Sequence, residues 1–529
     1  MQLSTATVVK VVSVKVLAPG VAPTAVPAET YTAEFFPNAV SGGLNAIATD
    51  TRTRTQTLGK VFMNLEFHAA LEYFDPHVDG SAPPGVYPLP NYPAPPFPMF
   101  RYQYGHRTFN TMMSTGGDHV VMDYAGRVYF NEYGDDAPDP FDNLENHSRI
   151  LRYDARATGS AAWSVYNIPG DQNIVFAVGW DAGRKRIWAG VNGWLTPPHL
   201  VTFKPDSTIL RTTNDREFRS PTTTCDTSVG QCTRLSFNRP CVRDADCRGA
   251  ANVCDPALTV NDTRTNDCFL EIPLDFELAP GWMNTIAVRP DDHTVWFTSY
   301  FAGMEIIRYN PSAPAGQQFL RLPLAEPQGA SPMLVPFAWP VDLKFTGASQ
   351  LVGTKQFPNQ LFYIDKSTTI DERCTRLESI NPGETCPTVH EVYLDGQPIP
   401  PGCRNPCVTE LTVSGSFLPC TPSSPADPQC PWTSLSGSTG NVYFVAVSKD
   451  GKVWFDQAGR GVGYITLSDL AAGIPNFVML PPAALYPAPP SSCGGDNGNL
   501  GGIAIDVSDG AIWYGEYSRC RLVRHEKVS

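Results

Sequence analysis

The stretch FVAVSKDGKVWFDQ (444–457) holds an alternating apolar β-run, a polar Asp-Gly turn and a second β-run built on a Trp-Phe pair. That pattern describes a hairpin with one buried face. Nearly the same phrase recurs as HVVMDYAGRVYFNEY (119–133), VGWDAGRKRIWAG (178–190), NTIAVRPDDHTVWFTSY (284–300), VDLKFTGASQLVGTK (341–355) and GGIAIDVSDGAIWYGEY (501–517). A degenerate copy, NAIATDTRTRTQTLGKVFMNL (45–65), precedes them. A hairpin of this size cannot bury its apolar face alone. The copies must stack on one another, and the repeat predicts a β-propeller.

Most copies are followed by two further strand-like runs. Behind 119–133 come RILRYD (149–154) and WSVYNIP (163–169); behind 178–190 come HLVTFKPD (199–206) and, much later, FLEIPL (269–274). Behind 284–300 come EIIRYNP (305–311) and FLRLPL (319–324), and behind 341–355 come QLFYIDK (360–366) and HEVYLDG (390–396). VGYITL (462–467) and NFVMLPP (476–482) complete the set for 444–457. Four strands per unit make one blade. The last unit stops at RLVRHEK (521–527), one strand short, and YTAEFFP (31–37) is an orphan strand near the start. Laying the orphan on the last unit removes an open edge and a free end together. The expected architecture is therefore all-β: a seven-bladed β-propeller of four-stranded blades over residues 29–529, closed by an N-terminal strand joining the last blade. Residues 1–28 are expected to form an N-terminal extension outside it.

Composition agrees with a turn-rich β-protein. The chain has 529 residues, with 50 Pro, 43 Gly, 42% hydrophobic and only 17% charged residues. Its net charge of −13 disfavours nucleic acid or an anionic membrane as partner, since both need a concentrated basic surface. The sequence has no apolar run long enough to span a bilayer, so no membrane span is expected. The opening MQLSTATVVKVVSVKVLAPG alternates Val with polar residues and reads as strand, not as a signal peptide. The Pro- and aromatic-rich segment 74–109 reads as a semi-rigid arm wrapped over the propeller flank or forming a wall beside a ligand cleft.

Fourteen cysteines point to an oxidising, extracellular or periplasmic setting. Cys225, Cys232, Cys241, Cys247, Cys254 and Cys268 fall in one cluster, and Cys374, Cys386, Cys403, Cys407, Cys420 and Cys430 in another, with Cys493 and Cys520 near the end. The motif CxxC is absent, which favours disulfides over zinc; CxxCH is absent too, so no haem is expected, and no nucleotide cofactor either. The clusters occupy the two longest intervals between corresponding inner-strand positions, Phe176 to Asn284 and Pro340 to Tyr443. The first is read as an insertion within the third blade (220–268). The second is read as an insertion between the fifth and sixth blades (372–435). Such insertions bury too little apolar surface to order themselves without covalent staples.

The phrase I-x-x-x-(D/N)-G-x-(I/V)-W-(F/Y)-x-E, closed by I-x-R-(Y/I) and an L-P or I-P strand, resembles the streptogramin B lyase (virginiamycin B lyase) group of seven-bladed propellers. The matching segments cover most of 31–58, 115–206, 269–366 and 440–527. The resemblance implies an elimination in which a His at the start of an inner strand acts as base. Glu residues after the aromatic pair would hold a magnesium ion that acidifies the neighbouring C–H. Carried over by position, the His slot reads Asn45, His119, Phe176, Asn284, Pro340, Tyr443 and Gly501. The Glu slot reads Leu65, Glu132, Val191, Ser299, Lys355, Gln457 and Glu516. His119 is thus the candidate base, and Glu132 and Glu516, two blades apart, are the candidate ligands of a divalent metal, magnesium or calcium. Asn45, Asn284 and Tyr443 are expected to line the channel. Asn45 or Gly501 stands where the family motif has its second His, and Gln457 replaces a carboxylate.

Each of these residues also has a structural reading: His119 as a hydrogen-bonded strand residue, Glu132 as a rim ion-pair partner. The acidic loop 134–147 is dense in hard-oxygen ligands but lacks EF-hand spacing, and reads as solvated. Asn146-His147-Ser148 and Asn261-Asp262-Thr263 match the glycosylation acceptor pattern. DADCRGAANVCD (243–254) resembles Cys-rich spacers of secreted bacterial proteins. Two functions remain open from sequence. One is a secreted metal-assisted lyase working at the channel mouth; the other is a non-catalytic extracellular propeller that binds a small molecule, glycan or protein there. Loops 326–339 and 480–500 would shape either pocket.

Overall fold

The computed structural model describes residues 9–12, 14–16, 30–37, 44–49, 61–65, 70–74, 85–88, 119–132, 149–157, 162–167, 173–193, 198–205, 230–232, 240–241, 254–255, 270–274, 282–300, 305–314, 316–324, 340–347, 349–355, 360–365, 374, 376–387, 402–413, 442–457, 461–480, 500–506, 509–516 and 521–527. The recurring phrase forms the inner hairpin of each antiparallel sheet. The first sheet runs Leu44–Thr49, Val61–Leu65, Ala70–Phe74 and Gly85–Pro88 from inside to outside, and the second runs Val120–Met122, Val128–Glu132, Arg149–Tyr153 and Trp163–Asn167. The third comprises Asn173–Asp181, Arg186–Gly193, His199–Phe203 and Leu270–Pro273, and the fourth Trp282–Val288, Val295–Tyr300, Glu305–Tyr309 and Phe319–Pro323. In the fifth, Pro340–Thr346, Gln350–Lys355 and Gln360–Asp365 are followed by Thr409–Thr412.

The sixth sheet holds Val445–Val447, Lys452–Gln457, Gly461–Thr466 and Phe477–Met479, with Val14–Val16 added outside. The seventh holds Leu500–Ile505, Ile512–Glu516 and Arg521–Lys527, then Thr30–Pro37, then Val9–Val12. Inner strands stand side by side in chain order, from Leu44–Thr49 round to Leu500–Ile505, and the last lies beside the first. This is a β-propeller. No helix among the described residues is long and apolar enough to cross a membrane.

The turn in the phrase is a chemical device. Asp123 Oδ1 accepts from the amides of Ala125 (2.7 Å) and Arg127 (3.1 Å), folding an Asx-type turn that Gly126 completes at φ 84°. Gly451 and Gly510 take the same left-handed conformation in their hairpins, at φ 78° and 77°. Lys185 (φ 54°) and His293 (φ 58°) occupy it without that freedom, at a local energetic cost. After the turn, Trp188, Trp296, Trp454 and Trp513 are buried between sheets, where they dominate the core. The strict alternation of the flanking positions produces inter-sheet clusters such as Ala177, Trp188, Ile286, Val295, Phe297 and Tyr309.

The structure corrects the sequence expectations in two places. The fourth strand of the fifth sheet is Thr409–Thr412, with Leu411 opposite Leu361, while the expected run 390–396 lies outside the described residues. The bridges Cys374–Cys407 and Cys386–Cys403 therefore fall between the third and fourth strands of that sheet, not between two blades. The cause is chain economy: the bridge at Cys407 delivers the chain to Thr409 beside the strand it must pair. The second correction concerns residues 1–28, since 9–12 and 14–16 are sheet strands, not an extension apart from the propeller. Their Val-rich alternation finds open strand edges to pair with.

In the first Cys cluster, Gly230–Cys232 pairs with Pro240–Cys241 and with Cys254–Asp255, which sets Cys232 opposite Cys254. Cys225, Cys247, Cys268, Cys420, Cys430, Cys493 and Cys520 lie outside the described residues, as do the acidic loop 134–147 and loops 326–339 and 481–499.

Candidate functional site: the channel collar

Inner strands begin irregularly. Register shifts fall between Leu44 and Ala46, Val175 and Ala177, Met283 and Ile286, Pro340 and Asp342, and Gly501 and Ile503. A bulge frees backbone groups from the ladder, and those groups need other partners. Side chains on the adjoining strand supply them. Asn131 Oδ1 accepts from His119 N (3.0 Å), Thr298 Oγ1 from Thr285 N (3.3 Å) and Thr354 Oγ1 from Asp342 N (3.1 Å). Asp456 Oδ1 takes the amides of Tyr443 (2.9 Å) and Phe444 (2.6 Å).

Several of the same side chains reach into the next sheet. Asn131 Nδ2 donates to Val175 O (2.6 Å), Asn192 Nδ2 to Met283 O (3.0 Å) and Thr354 Oγ1 to Tyr443 O (2.6 Å). They clasp neighbouring blades together at the level where the inner strands start.

Within this collar, His119 extends from the second sheet to both the third and the fourth. Its Nδ1 lies 2.6 Å from Phe176 O and its Nε2 3.2 Å from Thr285 Oγ1. A carbonyl only accepts, so Nδ1 carries the proton, and in the neutral ring Nε2 accepts from the Thr285 hydroxyl. Thr285 Oγ1 is also 3.3 Å from Asp342 Oδ1, yet it has one proton to give. Asp342 is met from three further directions: Leu343 N (2.9 Å) and Lys344 Nζ (2.8 Å) at Oδ1, and Val445 N (3.0 Å) at Oδ2. A continuous polar path thus joins the second, fourth, fifth and sixth sheets.

Burial sets the protonation of this path. It pushes the His119 imidazole down to about 4, against the opposing pull of Asp342, so the ring is neutral at pH 7. It pushes the Asp456 carboxyl up to about 8, despite the amides of Phe444 and Tyr443 that favour its charge. Asp456 Oδ2 is buried with no hydrogen-bond partner among the described residues, which is consistent with a carboxyl that keeps its proton.

The collar caps a cavity of about 760 Å³. His119, Asp342, Lys344 and Phe444 line one part, Val121, Ile286, Val288 and Ile503 the walls, and Tyr124, Trp180, Phe345, Pro290 and Gly347 the part beside the hairpin turns. Tyr124 is 48% exposed and stacks on Trp180, which stacks in turn on buried Tyr129.

The sequence candidates separate in this geometry. His119 lines the cavity. Asn284 instead turns its Nδ2 to Val341 O (2.9 Å), and Tyr443 is clamped through its backbone by Asp456 and Thr354. Asn45 is the unpaired residue of its bulge. Glu132 and Glu516 close the second strands of their sheets, opposite Arg149 and Leu500, and their side chains lie outside the described residues. Lys355 is a buried ion-pair partner of Glu410 at 2.7 Å. Among the described residues there is no group of three or more His, Cys, Asp or Glu able to hold a metal.

Sequence reasoning missed Thr285, Asp342, Lys344 and Asp456. Their one signal is polarity in otherwise apolar inner runs, as in VDLKF (341–345) and VWFDQ (453–457).

No protein-family model matches the chain, and no curated protein matches it. Solved structures similar to it in outline include a chain of a mitotic checkpoint complex, at 9% identity and TM-score 0.39, covering 97% of this chain and 99% of that one. YCF48 from Cyanidioschyzon merolae aligns at 9% identity and TM-score 0.40 over 93% and 98%. The WD40 repeats of RRP9 align at 7% identity and TM-score 0.44 over 94% and 97%.

Proposed function

We propose that the chain is a ligand-binding propeller whose seven sheets close into one ring and whose central cavity holds a small molecule. Support for closure comes from the strand Thr30–Pro37, which pairs with Arg521–Lys527 from Tyr31 opposite Lys527 to Pro37 opposite Arg521. The observation that carries the binding reading is the cavity itself. Its volume falls in the roughly 300–1,000 Å³ range of small-molecule sites, and it joins a polar collar at His119, Asp342 and Lys344 to an aromatic mouth at Tyr124 and Trp180. The two bridges Cys374–Cys407 and Cys386–Cys403 support an oxidising, secreted setting for it.

Binding is favoured over elimination by the state of His119. A general base needs a free lone pair within reach of a substrate proton, and both nitrogens of His119 are engaged by the protein. A thermal-shift screen of small molecules against the protein and a Val121→Trp variant, which fills the cavity, tests the reading. Ligands that raise the melting temperature of the parent should leave the variant unmoved; a ligand that stabilises both equally overturns the cavity as the site. Magnesium and calcium belong in the same screen. A metal-dependent stabilisation abolished by Glu132→Gln or Glu516→Gln, with turnover lost in His119→Gln, would establish the lyase reading instead.

A further inference from the structure

Among the described residues, the ionisable side chains that line the cavity near the collar and the walls are His119, Asp123, Asp342 and Lys344. Three of them are closed to a ligand. His119 has both ring nitrogens engaged. The Asp123 carboxylate is enclosed by the amides of Ala125 and Arg127, the Arg127 guanidinium and the Tyr129 hydroxyl. The Asp342 side chain is only 2% accessible and takes the amides of Leu343 and Val445 together with the Lys344 ammonium. Lys344 differs, with a side chain 44% accessible. The charge that a guest meets is therefore positive.

Lys344 Nζ donates to Asp342 Oδ1 at 2.8 Å, which tethers the ammonium at the collar. An ammonium has three N–H donors, and the described residues engage one of them. Beyond it stand Val121, Ile286, Val288 and Ile503, whose side chains offer no donor or acceptor. A polyhydroxylated ligand would lose its water there without replacement bonds. An apolar body gains from the same burial.

Building on the binding reading above, we propose that the cavity takes a monocarboxylate with an apolar body, its carboxylate on Lys344 and its body along Val121, Ile286, Val288 and Ile503. A carboxylate accepts both remaining N–H bonds, and such charge-assisted bonds are stronger than neutral ones. One ammonium, already shared with Asp342, balances a single negative charge better than the near-double charge of a phosphate monoester. An amine fares worse than either, because it faces the ammonium while the Asp342 carboxylate stays covered.

The test is calorimetric titration of the full chain with phenylbutyrate and naphthylacetate, each beside the primary amide and the amine of the same skeleton. Each acid should bind about tenfold more tightly than its amide, with the amine weakest. Lys344→Met should lower the acids to the affinity of the amides and leave amide binding unchanged, which also reports an intact cavity. Lys344→Arg should keep most of the preference; should the Met variant not fold, this variant and the head-group order in the parent carry the test. Acids that bind no better than amides or amines, or that keep their preference in Lys344→Met, overturn the carboxylate assignment. Binding abolished by Val121→Trp would in that case still uphold the cavity. If neither acid binds, the assignment is overturned as well, and the wider thermal-shift screen decides the cavity separately.

Discussion

The fourth and seventh sheets bury equivalent tryptophans, Trp296 and Trp513, to the same extent, yet they are assembled from different kinds of chain. The fourth is one contiguous stretch, 282–323, in which each strand pairs with its sequence neighbour. The seventh draws Val9–Val12 and Thr30–Pro37 from one end of the sequence and Leu500–Lys527 from the other. Loop-closure entropy grows only logarithmically, so spanning nearly the whole chain costs about 4 kcal/mol more than a short turn. Against a buried core of this size that is modest. What the difference changes is order: local sheets can form early, whereas a sheet built from both ends must wait for the rest.

The largest effect that sharpens this comparison is loss of either tryptophan. Trp296→Ala and Trp513→Ala should each destabilise by about 3–5 kcal/mol. In chevron kinetics the first should slow folding while the second mainly speeds unfolding; equal partition in both would break the distinction. Tyr31→Ala, which removes the edge contact with Trp454, should cost about 3 kcal/mol and act on unfolding alone.

Next comes the pH dependence of the collar. Folded Asp456 keeps its proton up to about pH 8, whereas an unfolded carboxyl loses it near 3.8, so this group makes stability fall as pH rises through that window. Asp456→Asn should flatten the fall and stabilise the protein above pH 8, by about 1–3 kcal/mol. His119 acts in the opposite sense. Its folded value of about 4 lies below the ordinary 6.5, so stability is lost as pH drops from 6.5 towards 4, and His119→Gln should remove that acid-side loss. Denaturant titrations at pH 5, 7 and 9 measure both. The smallest effect is expected at the surface pair of Arg156 and Asp154, where Arg156→Ala should change stability by no more than about 0.5 kcal/mol.

Most strands of the propeller were legible because each hairpin encodes its own turn and its own buried aromatic. Asp450-Gly451 and Trp454 say the same thing about residues 444–457 that Asp509-Gly510 and Trp513 say about 501–517. Thr409–Thr412 was not legible. TELT is short and polar beside the stronger-looking HEVYLDG, and the bridge that ends at Cys407, two residues before it, leaves no mark on its own composition. The collar was half legible. His119 stands out as a residue type, but Asp342 matters because Val445 N of the next sheet lies 3.0 Å away, and cross-sheet proximity leaves no mark on local spacing. Thr285 is equally mute, since its role depends on an imidazole contributed from two sheets earlier.

The bridge from Cys374 to Cys407 closes a separation of 33 residues and hands the chain to Thr409 two residues later. Oxidation thereby turns a long excursion into something close to an ordinary hairpin connection, and the fifth sheet acquires an outer rib that is conditional on the redox state of its surroundings. A reductant should loosen that rib, fraying the outer edge of the fifth sheet ahead of its inner hairpin, whose strands Pro340–Thr346 and Gln350–Lys355 meet through a short turn.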